Sequence, residues 1–132
     1  MNWKLILSLS GFGVLMGALS VLGLISEVEE WLWLAIGVFC AGWMGTQLGE
    51  RRFLHGFLVG LIGGGVAPAI QALFFSSYLA HNPDFTQAAS QLPPGIPLIL
   101  IPLIAIPLGG LFSGVVLGLL TLVAGKFLYR PS

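Results

Sequence analysis

The chain is poor in almost everything a soluble catalyst uses. Its 132 residues include five Lys and Arg, five Asp and Glu, two His and a single Cys. Cys40 has no second cysteine to pair with, which excludes an internal disulfide and a thiolate metal site. It reads as a small packing residue. No Ser/His/Asp grouping, HExxH, CxxC or phosphate-binding loop is present. The few cations sit at the ends of apolar runs and form no basic patch, so nucleic-acid binding is not expected. Catalysis or proton-coupled transport inside a bilayer uses an ionisable group at depth, where such groups are costly. Every Asp, Glu, Lys and Arg here maps to an end or a turn. The expectation is a protein that is not an enzyme and that needs neither metal nor cofactor.

What fills the chain instead is apolar surface. Hydrophobic residues make up 57% of it and the mean hydropathy is +1.01, outside the range of soluble domains. A helix rises about 1.5 Å per residue, so a hydrocarbon core about 30 Å thick needs roughly 20 apolar residues. Four runs meet or approach that length: residues 5–25, 31–48, 53–80 and 96–128. The reading is an all-α integral membrane protein, one domain over residues 1–132, folded as a bundle of four transmembrane helices. The first run follows Lys4 and contains Ala18-Leu19-Ser20, features shared with signal peptides. It continues to Ile25, longer than a signal h-region, and is read as the first span.

The breaks between runs carry their own signals. Ser26-Glu27-Val28-Glu29-Glu30 places three acids where the chain leaves hydrocarbon, and Trp31 and Trp33 follow at the depth amphipathic aromatics prefer. Gly49-Glu50-Arg51-Arg52 ends the second run. The third exceeds a perpendicular crossing, and Gly63-Gly64-Gly65 with Pro68 predicts a kink whose freed carbonyls meet Gln71 or a neighbouring helix. Asn82-Pro83-Asp84 has the order of an N-cap with proline at the first helical position, predicting a short helix over 83–91 within an outer loop, 81–95. Pro97, Pro102 and Pro107 crowd the start of the last run, so regular helix is expected to set in near Pro107.

Charge gives the orientation. In a four-span chain Lys4, Arg51, Arg52, Lys126 and Arg130 fall on one side and Glu27, Glu29, Glu30 and Asp84 on the other. Lysine and arginine stay cytoplasmic, so both termini are expected inside.

Small residues recur every four positions. Gly56, Gly60 and Gly64 form one row, Gly110, Gly114 and Gly118 another, and Gly37, Ala41 and Gly45 a third. Lipid tails are as apolar as leucine, so helices in a bilayer associate by close packing, which such rows permit. The second half of the chain, with Gly56-x-x-x-Gly60, the long third run, Asn82-Pro83-Asp84-Phe85 and a last run rich in Pro and Gly, resembles a group of four-span bacterial membrane proteins classed only as a domain of unknown function. The resemblance implies the architecture and a home in the bacterial inner membrane. It carries no activity, since that family has none assigned.

The expected work is therefore structural: an accessory or assembly subunit that packs against other membrane subunits, or itself, and against membrane lipid. Two rival readings stand beside it. Pro68, Gln71 and Gln47 are candidates for a polar path past the Gly63 to Gln71 break, which would make the chain a small channel or carrier. His55 and His81 are candidates for axial ligands of a haem or pigment, one near each end of the third run.

Overall fold

The computed structural model describes residues 1–25 and 27–130, and among them every regular element is helical. The elements are α1 (Trp3–Ser10), α2 (Phe12–Val21), α3 (Glu29–Gln47), α4 (Arg52–Leu73), α5 (Phe75–His81), α6 (Pro83–Ala89) and α7 (Leu100–Leu128). Ser26, which opens the acidic turn, lies outside the described residues. Three stretches, Trp3–Val21, Arg52–Leu73 and Leu100–Leu128, are long and apolar enough to cross a membrane. α3 has the 19 residues of the first of these, but it begins on Glu29 and Glu30 and ends on Thr46 and Gln47, which dilute its apolar character.

α1 and α2 form one rod. Gly11 between them keeps right-handed dihedrals (φ −58°, ψ −20°) and its N–H reaches back to Ser8 O at 3.3 Å, a local tightening of the helix. The rod ends at Val21, and Gly23 turns the chain with φ +71°, a conformation only glycine adopts cheaply. A second reversal, Leu48 to Arg51, puts Arg51 itself in the left-handed region at φ 54° before α4 starts.

Three local expectations are corrected. α4 runs unbroken through Gly63-Gly64-Gly65 and Pro68, and the interruption comes at Phe74 (φ −112°, ψ 42°), which separates α4 from α5. α7 begins at Leu100, not near Pro107, because Pro102 is its third residue. The first four N–H groups of a helix have no intrahelical acceptor, so a proline there forfeits nothing. Pro107 does lie inside the helix. α6 starts on Pro83 as its first residue, but the Asn82 side chain does not cap it.

α4 is the central helix, with α7 along one side and the α1–α2 rod along another; α3 packs mainly on α7 and touches α4 less. One core cluster joins Ile6 of α1, Cys40, Ala41, Met44 and Leu48 on and just beyond α3, Val59 of α4 and Leu117 of α7. A second, toward the acidic end, joins Met16, Ile25 and Ala67, flanked by Phe12 and Trp33, whose rings meet edge to face at 5.4 Å. Phe39, Trp43, Phe74 and Phe112 point outward.

A groove between α3 and α7

Along α4 and α7 the backbones touch. Facing pairs descend on one helix as they rise on the other: Gly56 with Gly118, Gly60 with Gly114, Gly64 with Gly109, so the helices run antiparallel. A Cβ added at Gly56 would stand 2.6 Å from Leu117 O, one at Gly110 2.9 Å from Leu61 O, and one at Gly114 2.8 Å from Phe57 O. Real Cβ atoms essentially never come within 3.0 Å of such a neighbour, so no side chain fits without moving the backbone.

Consecutive helical residues point about 100° apart, and the triple glycine uses that divergence. Gly63 faces the rod, against Phe12 and Gly13, while Gly64 faces α7, against Ser113 and Gly109. A helix gripped from two sides needs small residues on two adjacent faces. The Gly63-Gly64-Gly65 run meets that requirement. Further along the rod Gly17 meets Ala67 and Ile70. The carbonyl that Pro68 leaves without its usual helical donor, that of Gly64, lies toward Gly109 of α7.

α3 behaves differently along its length. At one end Gly45 is pressed on α7, its missing Cβ 2.8 Å from Ala124. Ala41 is buried beside it, but Gly37 has nothing within 4 Å. The two helices thus close at Gly45 and open toward Glu29. Between them lies a mostly apolar cavity of about 460 Å³. Gly60, Gly64, Ala67, Pro68 and Gln71 of α4 form its floor, Leu34 and Gly37 of α3 one wall, and Phe112, Val116 and Leu120 of α7 the other. Exposed side chains of Leu34, Phe112 and Val116 line it, so it opens sideways.

The wide end is polar. Gln71 Nε2 donates to Ser20 Oγ at 2.9 Å, joining α4 to the rod. Asn82 Nδ2 donates to Ser20 O at 2.8 Å and to Tyr78 O at 2.9 Å, which ties the loop after α5 to the same place. Glu29 and Trp33 line the cavity alongside Gln71. Burial pushes the Glu29 carboxyl, which precedes the apolar part of α3, above the ordinary carboxylate range; Trp33 and Ser20 as hydrogen-bonding neighbours pull it back in part, and Glu30 adds to the rise. Phe85 of α6 packs on Tyr78 at 5.1 Å, closing the cluster from beyond the helix ends.

The opposite end holds the cations. The Arg52 Nε donates to Leu48 O at 2.8 Å and its guanidinium lies over the Tyr129 ring at 5.0 Å. His55 is buried there. Its Nδ1 is 2.8 Å from Arg51 O, and the Asn2 N–H donates to its Nε2 at 3.1 Å. With Nε2 accepting from Asn2 and Nδ1 directed at a carbonyl, both ring nitrogens are engaged and neither is open to a metal. His81 is exposed at the acidic end, its Nδ1 2.8 Å from Ser77 O. The two histidines are therefore not brought together, and the described residues contain no group of three or more metal-ligating side chains. Gln47 is exposed and apart from Pro68 and Gln71, which share the cavity floor.

The cluster of Ser20, Glu29, Gln71 and Asn82 is not legible in the sequence. Gln71 and Asn82 reach Ser20 across sequence separations of 51 and 62 residues, and no local pattern announces that meeting. Comparison of the chain with protein families, with curated proteins and with solved structures finds no match in any of the three.

Proposed function

We propose that the chain is a four-span protein of the bacterial inner membrane, with both termini cytoplasmic, that works without catalysis as an accessory or assembly subunit. The part of α3 from Trp31 onward, within the run 31–48, is the fourth span in this reading, and Glu29 and Glu30 precede it. Its length and the two tryptophans at its acidic end support the crossing, and the separation of Arg51, Arg52 and Lys126 from Glu27, Glu29 and Glu30 supports the orientation. The bacterial setting rests on the resemblance of the second half of the chain.

The observation that carries the functional reading is the contrast between glycine rows. Those of α4 and α7 are consumed inside the chain, which makes a rigid scaffold, whereas Gly37 of α3 opens onto an uncovered groove. A side of the bundle left open within the bilayer is a place to hold another membrane component by packing. Native-state sizing in mild detergent tests it. The parent protein is expected to carry a bound component, and Gly37→Leu, which fills free space, to lose it with helix content unchanged. A parent protein that carries nothing, or a variant that still carries its component, contradicts the reading.

One observation favours a second reading. The cavity floor includes Pro68 and Gln71, two of the three residues of the candidate polar path, while Gln47 lies apart from it. A small carrier would raise solute flux in liposomes; an accessory subunit leaves permeability unchanged.

A further inference from the structure

The groove and the acidic end of the chain meet at Glu29. From Gly60 to Gln71 the floor extends roughly 16 Å at about 1.5 Å per residue. Half of a hydrocarbon core about 30 Å thick is about 15 Å. The groove is therefore about one leaflet deep and mostly apolar, with Ser113 partway along it and its charged and amide side chains, Glu29 and Gln71, where it reaches the interface. Its volume of about 460 Å³ falls within the range of roughly 300–1,000 Å³ typical of small-molecule sites.

We propose that this groove binds a single-chain amphiphile with an ammonium headgroup, taken laterally from the surrounding leaflet, the head at Glu29 and Trp33 and the chain over Gly37, Gly64 and Val116. The assignment rests on the four-span reading, because the groove opens into hydrocarbon only if α3 crosses. The shape selects a chain over a helix. A helix is about 10–12 Å across, and a cleft that narrows to backbone contact at Gly45 has no room for one at its closed end. Charge selects the head. All five Lys and Arg lie at the far end of the bundle, so Glu29 has no cationic partner of that kind, and Glu27, Glu30 and Asp84 at its own end add negative charge that repels an anionic head. His81, also at this end, is engaged with Ser77. Trp33, steadied by the Phe12 ring, adds an aromatic face, the surface on which ammonium groups are held.

The test uses the full chain in discs of zwitterionic lipid, with Trp3, Trp31 and Trp43 replaced by Phe so that Trp33 alone reports. Chain-brominated dodecyltrimethylammonium, dodecyl maltoside and dodecyl sulfate are titrated in turn. The ammonium is expected to quench Trp33 saturably and about tenfold more tightly than the maltoside, with the sulfate weakest. Glu29→Gln removes the advantage of the ammonium while leaving the maltoside unchanged, and Gly37→Leu abolishes saturable quenching by all three. Quenching that is equal for the three heads, or an ammonium preference that survives Glu29→Gln, overturns the proposal. If Glu29→Gln loses helix content, the comparison of heads on the parent protein decides. Labelling that puts Glu30 and Arg51 on opposite membrane faces alongside a failed titration removes the amphiphile alone; labelling that puts them on one face removes the four-span reading itself.

Discussion

Replacing one glycine by alanine should change sign between two helices of this chain. At Gly60 the new Cβ falls on the Ser113 carbonyl and 2.7 Å from Gly114 Cα, where ordinary contact begins at 3.4 Å. Backbone atoms cannot rotate away, so α4 and α7 must separate by about 1 Å, and the neighbouring contacts at Gly56 and Gly64 loosen with them. Overpacking of this kind costs about 1–3 kcal/mol. Alanine recovers up to about 1 kcal/mol through helix propensity. With the propensity gain subtracted in full, a net loss of up to about 2 kcal/mol follows from the difference. At Gly42 nothing lies within 4 Å of the added methyl, so only the propensity term remains and alanine should stabilise by about 0.5–1 kcal/mol. Unfolding in mixed micelles, followed by helix circular dichroism, reads both variants against the parent. A Gly60→Ala protein as stable as Gly42→Ala would refute the claim that α4 and α7 meet backbone to backbone.

Asn82→Ala removes two buried hydrogen bonds at once, the long-range one to Ser20 O and the local one to Tyr78 O, and should cost about 1–3 kcal/mol in the same assay, whereas Asp84→Ala on exposed α6 should be near neutral. Gly23→Ala must hold φ +71° and place its methyl against His81, so a loss of at least about 1–2 kcal/mol is expected, with faster proteolysis around residue 23 as the second readout. Stability should also depend on pH through Glu29. Its carboxyl is raised in the folded protein, so below the unfolded value of about 4.3 both states hold the proton and stability is full. As pH rises above that value the unfolded chain releases its proton first, and stability falls until the native carboxyl ionises too. Glu29→Gln should flatten this slope, and a slope unchanged by the substitution would assign the effect to another group.

Periodic features are legible in the sequence, and relational ones are hidden. A spacing of four marks a helical stripe wherever it occurs, so Gly56, Gly60 and Gly64 stand out from their positions alone. The pattern cannot say which rows are filled: Gly37 and Gly45 look alike in sequence, yet one is open and the other carries Ala124. Pro102 reads as a break because the cost of a proline depends on where its helix begins, and a start at Leu100 makes it harmless. The Gly63-Gly64-Gly65 run reads as a weak point because helix propensity is a property of one helix, whereas contact on two faces is a property of three. Asn82 sits where an N-cap belongs, but its amide finds carbonyls on other elements to bind. Ser20 and Gln71 give no signal of their meeting, since a lone polar residue in an apolar run acquires meaning only when the fold supplies its partner.

The decisive measurement is the sidedness of the two ends of α3. In a Cys40→Ala background, Glu30→Cys and Glu50→Cys are labelled separately in intact cells with a membrane-impermeant maleimide, before and after permeabilisation. Glu30→Cys should react from outside in intact cells and Glu50→Cys only after permeabilisation. If both react under the same condition, α3 does not cross, the groove does not face hydrocarbon, and the proposed function fails with it.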